Sequence, residues 1–222
     1  MIKHLIFDFD GVIVDSEILA ARAFTKILSD ININYTEDFF ANKYAGNKMA
    51  TVVDNLSQIH NIGDKKKFFN KLMKQVSNIF HKEIKPVPNI KHLLLTNKLN
   101  RFIASNSGKK RIIKGLELVS LDSFFENNKI YSVEKVRQPK PSPEIYLKII
   151  NENNLNLNEV IVLEDSVAGV RAARLANLTV IGITSASHWK NKSPKELIES
   201  GSIAILDSYL NFNDLLDRIK VV

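Results

Sequence analysis

After residue 100 the chain alternates short apolar runs with amphipathic stretches, and that rhythm restricts it to a layered fold of helices on a sheet. The runs at 102–105, 129–132, 160–164, 179–183 and 203–206 have the length and apolar character of buried strands. Helical periodicity fills the intervals, most clearly over 142–153 and 166–177. Strands that alternate with helices are joined by right-handed crossovers, which yields a mostly parallel sheet. One more buried strand is expected at 2–9, ending in acids and Gly11.

Between that first strand and the others the pattern is helical only. Ile18, Leu19, Ala21, Ala23, Phe24, Ile27 and Leu28 make an amphipathic face, with Asp15 or Ser16 as its cap. Helical spacing recurs over 38–44, 49–59 and 65–80, where Phe68, Phe69, Leu72, Val76 and Phe80 read as core. Pro86 and Pro88 end this region, because each removes a donor and biases its predecessor to extended backbone. The expected architecture is α/β: a doubly wound, mostly parallel, Rossmann-like sheet built from residues 1–14 and 86–222. An all-helical domain is inserted at 15–85.

Four groups carry chemistry. Asp8 and Asp10 sit two residues apart at the end of the first apolar strand, and Gly11 lets the chain turn there. Ionised carboxylates beside an apolar core need compensation, and a hard divalent cation supplies it. A plain strand-to-turn ending with two aspartates reads equally well from this segment alone. Ser105, Asn106 and Ser107 end the second strand before a helix, where helix-start N–H groups suit a phosphate. Lys140 is held between Pro139 and Pro141, a stiff setting for a cation that neutralises an anion. Glu164 and Asp165 end the very apolar run Val160-Ile161-Val162-Leu163. All four groups fall at strand ends, where doubly wound sheets bind ligands.

In this order the four groups resemble the four motifs of the haloacid-dehalogenase superfamily. The helical insert resembles the small cap of its subgroup of β-phosphoglucomutases and sugar-phosphate (6-phosphogluconate-type) phosphatases. Tyr44-Ala45-Gly46-Asn47-Lys48 is similar to that subgroup's cap loop, and LEDSVAGVRAA at 163–173 to its fourth motif. The resemblance implies a Mg²⁺-dependent phosphatase acting on a small phosphorylated metabolite, with Asp8 as nucleophile and Asp10 as acid and base. It implies phosphate binding by Ser105, Asn106 and Lys140, and substrate contacts from Gly46, Asn47 and Lys48. Magnesium would be held by Asp8, Asp10 through its carbonyl, and Asp165, with Glu164 as ligand or supporting partner.

The departures bear on which activity is implied. The mutase of the subgroup has a histidine where this chain has Ala20, and a cap-loop arginine where it has Met49 beside Lys48. Both losses favour hydrolysis over a sugar-phosphate mutase. A dehalogenase lacks the second acid that Asp10 provides. A non-catalytic binding protein on the same fold is the rival from another class, and the intact Asp8, Asp10, Lys140 and Asp165 weigh against it.

The bulk properties limit partners. A net charge of +7 could attract nucleic acid, yet the lysines are scattered and cluster only at Lys65-Lys66-Lys67 and Lys109-Lys110-Arg111. Aromatics do not interleave with them as a stacking surface requires, so no nucleic-acid partner is expected. Lys109 and Lys110 read as solvated helix lysines, Trp189 as a packing residue, and the five histidines as structural or surface groups. With no cysteine there is neither a disulfide nor a thiol nucleophile. No run approaches the ~20 apolar residues of a membrane span, and Met1 to Asp8 lacks a signal-peptide core, so a cytoplasmic protein is expected.

Overall fold

The structure, a computed structural model, describes residues 1–44, 47 and 49–219. It divides into two compact units, Met1–Asp15 with Lys85–Val222, and Ser16–Ile84. The first unit is built on six parallel strands: β1 (His4–Phe7), β2 (Asn100–Ala104), β3 (Ile130–Tyr131), β4 (Val160–Glu164), β5 (Thr179–Ile183) and β6 (Ala204–Leu206). Their order, β3-β2-β1-β4-β5-β6, is that of a doubly wound sheet whose direction of growth reverses between β1 and β4.

Register at that reversal decides where the acids fall. Phe7 pairs with Ile103 on one side and Leu163 on the other. The residues that follow, Asp8, Ala104 and Glu164, therefore lie side by side at the carboxyl edge. β4 is buried along its whole length, as a central strand covered on both faces must be. The expected strand at 129–132 shrinks to Ile130–Tyr131, because 3₁₀ turns at Asn127–Lys129 and Val133–Lys135 bound it closely. It pairs with β2 alone, through two residues.

The second unit holds four helices, α1 (Glu17–Ser29), α2 (Glu37–Tyr44), α3 (Met49–Ile59) and α4 (Lys65–Glu83). They share one core that includes Phe24, Phe40, Leu56, Phe68, Leu72 and Val76, with Phe69 packed against it. The rings of Phe24 and Phe40 stack with centroids 4.7 Å apart. α4 runs a turn past its expected end, because nothing between Phe80 and Glu83 interrupts a helix. Its start is capped by Asp64, whose carboxylate accepts the Lys67 N–H. Asp15 does not cap α1. Its carboxylate is turned to Ser187, accepting that residue's backbone N–H at 3.2 Å and its hydroxyl.

The chain leaves and re-enters the sheet unit through two paired segments: Val14 bridges Pro86, and Val87 N–H donates to Ile13 O at 2.9 Å. The helices α5 (Ile90–Thr96), α6 (Lys109–Leu118), α7 (Glu144–Glu152), α8 (Val167–Leu175), α9 (Lys195–Glu199) and α10 (Phe212–Arg218) complete this unit. One cluster joins Ile6, Phe102, Val162 and Val180 of the sheet to Ile145 and Ile149 of α7 and to Val170 and Ala173 of α8. Trp189 belongs to the same cluster, with Lys192 over its ring at 4.7 Å. Among the described residues no helix is long and apolar enough to cross a membrane.

The core of the helical unit gives a direct test. Leu72 is fully buried on α4, so Leu72→Ala should cost about 2–5 kcal/mol in denaturant unfolding. A change under ~1 kcal/mol would show that α4 is not packed as described.

Candidate active site

Asp8 follows β1, and its N–H donates to Leu163 O at 2.9 Å, so its backbone is locked to β4 before the chain turns. The turn depends on Gly11, whose φ of +77° suits glycine and whose Cβ position lies against the Asp165 carboxylate. A side chain here would displace the very acid the turn is meant to approach.

Lys140 is the hub. Its side chain is 3% exposed, and its ammonium donates to Asp8 Oδ1 at 2.9 Å, to Ala104 O at 2.7 Å and to Glu164 Oε1. Burial opposes its charge, but the carboxylates of Asp8 and Glu164 outweigh burial and hold its pKa well above the ordinary lysine value. The segment carrying it is held by Asn106: Lys140 N–H donates to Asn106 Oδ1 at 2.9 Å, and Asn106 Nδ2 donates to Lys140 O at 3.2 Å. Each end of its amide thus bonds the Lys140 backbone, so the Asn106 side chain positions Lys140.

Glu164 is completely buried and takes Lys140, the Tyr146 hydroxyl at 2.8 Å and Ser166 Oγ at 3.2 Å. These contacts make it the anchor of Lys140. α8 can pass so close only because Gly169 lacks a Cβ, which would overlap the Glu164 carboxylate.

Asp8, Glu164 and Asp165 each offer a carboxylate oxygen to one point, all within 4.8 Å of one another. Burial first, and Glu164 second, push the pKa of both Asp8 and Asp165 well above the ordinary carboxylate range. Lys140 offsets only part of that charge. A buried, all-oxygen donor set with excess negative charge fits a hard divalent cation. His188, on the loop after β5, brings Nε2 to 3.2 Å from Asp165 Oδ2.

Asp10 is not one of these three carboxylates, although its charge acts on Asp165. Its Oδ1 accepts from Arg111 Nη2 at 2.8 Å and its Oδ2 from the Ser107 hydroxyl. Ser105 is buried, and its Oγ accepts the Ser107 N–H at 3.0 Å. The start of α6 differs from the expected phosphate cradle: Glu134 already accepts the Lys109 N–H at 2.9 Å. Lys109 sends its ammonium to Asn127 O at 3.1 Å, away from the acids. Gly46 and Lys48 lie outside the described residues; Asn47 donates its N–H and its Nδ2 to Tyr44 O.

Tyr146, Arg111 and His188 were not legible as site residues. Nothing local marks Tyr146 or His188, while Arg111 was hidden in a basic cluster; Ser107 was legible as part of the turn after β2, but not as a partner of Asp10.

The haloacid dehalogenase-like hydrolase family matches residues 5–183, and the chain belongs to it. A phosphorylated carbohydrates phosphatase of Thermotoga maritima is 28% identical over 209 residues, covering 92% of this chain and 94% of that protein. A 6-phosphogluconate phosphatase of Escherichia coli K12 is 23% identical, covering 85% and 86%. The crystal structure of a conserved haloacid dehalogenase-like protein of unknown function from Agrobacterium tumefaciens has a TM-score of 0.91 at 27% identity, covering 98% and 99%.

The crowded carboxylates predict a stability signature. An acid whose folded pKa is raised contributes stability that is complete below its unfolded pKa and lost as pH rises through the folded one. Near neutral pH the chelator-treated protein therefore carries a penalty that Asp165→Asn, which leaves all three acceptors of Lys140 in place, relieves, raising Tm by about 2–4 °C per kcal/mol relieved. The gain should shrink on acidification, and magnesium should raise wild-type Tm more than that of Asp165→Asn. A variant no more stable than wild type in chelator would contradict the charge crowding.

Proposed function

We propose that this chain is a Mg²⁺-dependent phosphatase that hydrolyses a small sugar phosphate or phosphogluconate-like ester through an aspartyl-phosphate on Asp8. The observation that carries the reading is a nucleophile-type carboxylate at the end of β1, oriented by a buried ammonium and flanked by two further carboxylates. Its family and its phosphatase-named relatives support a phosphoric monoester hydrolase.

The chemistry balances over two displacements. A carboxylate oxygen of Asp8 attacks phosphorus, and the bond from phosphorus to the ester oxygen breaks. The electron pair leaves on that oxygen, which takes the proton of the Asp10 carboxyl group. Water then attacks the phosphorus of the aspartyl-phosphate and passes its proton to the Asp10 carboxylate, releasing phosphate and restoring Asp8. Ser105 Oγ–H, the Asn106 backbone N–H and Lys140 bind the non-bridging oxygens, where charge resides in the transition state. Asn106 acts through its main chain in this scheme because its amide is committed to Lys140. Asp8, the Asp10 carbonyl and Asp165 would hold the magnesium, which neutralises phosphoryl charge and orients the group. Glu164 supports that set by fixing Lys140.

Specificity is assigned, on the resemblance, to Gly46, Asn47 and Lys48. A lysine is a flexible point charge that suits a carboxylate or a hydroxyl-rich end. Lys43, a neighbour in sequence, instead lies over the rings of Phe39 and Tyr44 at 5.6 and 5.3 Å.

Two measurements test the reading. Phosphate release from a panel of sugar phosphates, sugar-acid phosphates, polyol phosphates and nucleotides should require Mg²⁺ and vanish in Asp8→Asn; near wild-type turnover by that variant sinks the mechanism. Lys48→Ala should lower kcat/KM for the preferred ester by about tenfold or more while an aryl phosphate loses far less. Equal losses on both would remove Lys48 from substrate recognition.

A further inference from the structure

We propose that Arg111, with Ser107, is the positioning device for Asp10, so that protonation of the leaving oxygen depends on a guanidinium from α6. This rests on the reading that Asp10 is the acid and base.

The basic run Lys109-Lys110-Arg111 looks uniform in sequence but divides in space. Lys109 is tied to Glu134 through its N–H and to Asn127 through its ammonium. Arg111 instead turns toward Asp10, reaching its Oδ1 at 2.8 Å. Ser107, four residues earlier on the same segment, takes the other oxygen, Oδ2. A carboxylate with a separate donor on each oxygen has its plane fixed as well as its position, and a rotation must break both bonds. The pair is partly shielded, with side chains 31% and 18% exposed, so it is screened less than an exposed ion pair.

The segment that holds Asp10 also carries the phosphate-binding groups. Ser105 and Asn106 directly precede Ser107, and Asn106 grips Lys140. A single turn after β2 thus sets the cation through Asn106 and the acid through Ser107 and Arg111. Proton transfer requires the carboxyl group within hydrogen-bond reach of the ester oxygen. Loss of that geometry costs an alkyl ester most, because an alkoxide departs badly without its proton. An aryl phosphate with a nitrophenolate leaving group needs no proton and is nearly insensitive.

The experiment compares Arg111→Ala, Arg111→Lys, Ser107→Ala, Asp10→Asn and the double variant Asp10→Asn with Arg111→Ala, in full-length protein with Mg²⁺. The probes are two alkyl esters, glucose 6-phosphate and 6-phosphogluconate, and the aryl ester 4-nitrophenyl phosphate. Arg111→Ala should lower kcat on the alkyl esters by about 10- to 100-fold, within the range that an acid–base group supplies, and KM should change little. The aryl ester should lose far less. Arg111→Lys, which keeps the charge without the planar fork, should restore part of the loss. Adding Arg111→Ala to Asp10→Asn should cost nothing further, since both remove one function.

Equal losses on alkyl and aryl esters, a loss confined to KM, or additive effects in the double variant would overturn the proposal. If Arg111→Ala does not fold, Ser107→Ala and Arg111→Lys carry the same leaving-group comparison. An Asp10→Asn enzyme as fast as wild type on alkyl esters would end the acid assignment itself. A slow Asp10→Asn beside an unimpaired Arg111→Ala and Ser107→Ala would end this inference alone.

Discussion

A buried ammonium organises this site. Taking Lys140 out of water costs several kcal/mol unless its charge is met at close range, and here three acceptors meet it: Asp8, Glu164 and the Ala104 carbonyl. Those acceptors come from the ends of β1, β4 and β2, so one side chain ties the three central strands together at their carboxyl edge. Removing any one acceptor would leave buried charge poorly compensated. The surrounding groups read as consequences: Tyr146 satisfies a second contact of Glu164, and Asn106 clamps the backbone that delivers the lysine.

The same electrostatics explain why the site is under tension. Carboxylates crowded around one ammonium repel one another, and burial penalises each, so Asp8 and Asp165 resist ionisation. Stability is given up locally for a donor set that a cation and a phosphoryl group can complete. The sheet tolerates this because the acids stand at its rim while Leu163, Phe7 and Ile103 beneath them are wholly buried. Gly11 and Gly169 contribute by lacking side chains, which lets Asp165 and Glu164 lie against neighbouring backbone.

Helix N-termini favour anions, and at α6 a side chain of the protein itself competes for that position. The start of α6 has the right polarity, but Glu134 reaches it from the 3₁₀ turn after β3 and uses the Lys109 N–H. Asp10, whose charge still acts on Asp165, is held by Ser107 and Arg111. Two acids separated by one residue thus end with different partners, Lys140 for Asp8 and Arg111 with Ser107 for Asp10.

The sequence alone determined the alternation of strand and helix, the helical stretch that interrupts it, and the chemistry-bearing positions Asp8, Asp10, Ser105, Lys140, Glu164 and Asp165. These are local properties, carried by apolar periodicity and by polar residues that end apolar runs. Where local signals were weak the reading was less exact: β3 is only Ile130–Tyr131, and of the two cap candidates for α1 Ser16 holds the N-cap position while Asp15 serves Ser187. Only the tertiary structure decided that Asn106 supports Lys140, that Tyr146 and Glu164 anchor it, that Glu134 occupies the α6 terminus and that Arg111 selects Asp10. Each of these pairs residues from different elements, and Arg111 and Asp10 stand 101 positions apart. A side chain's partner is set by which strands adjoin and in what register, and in a parallel sheet that information exists only once the crossovers have closed.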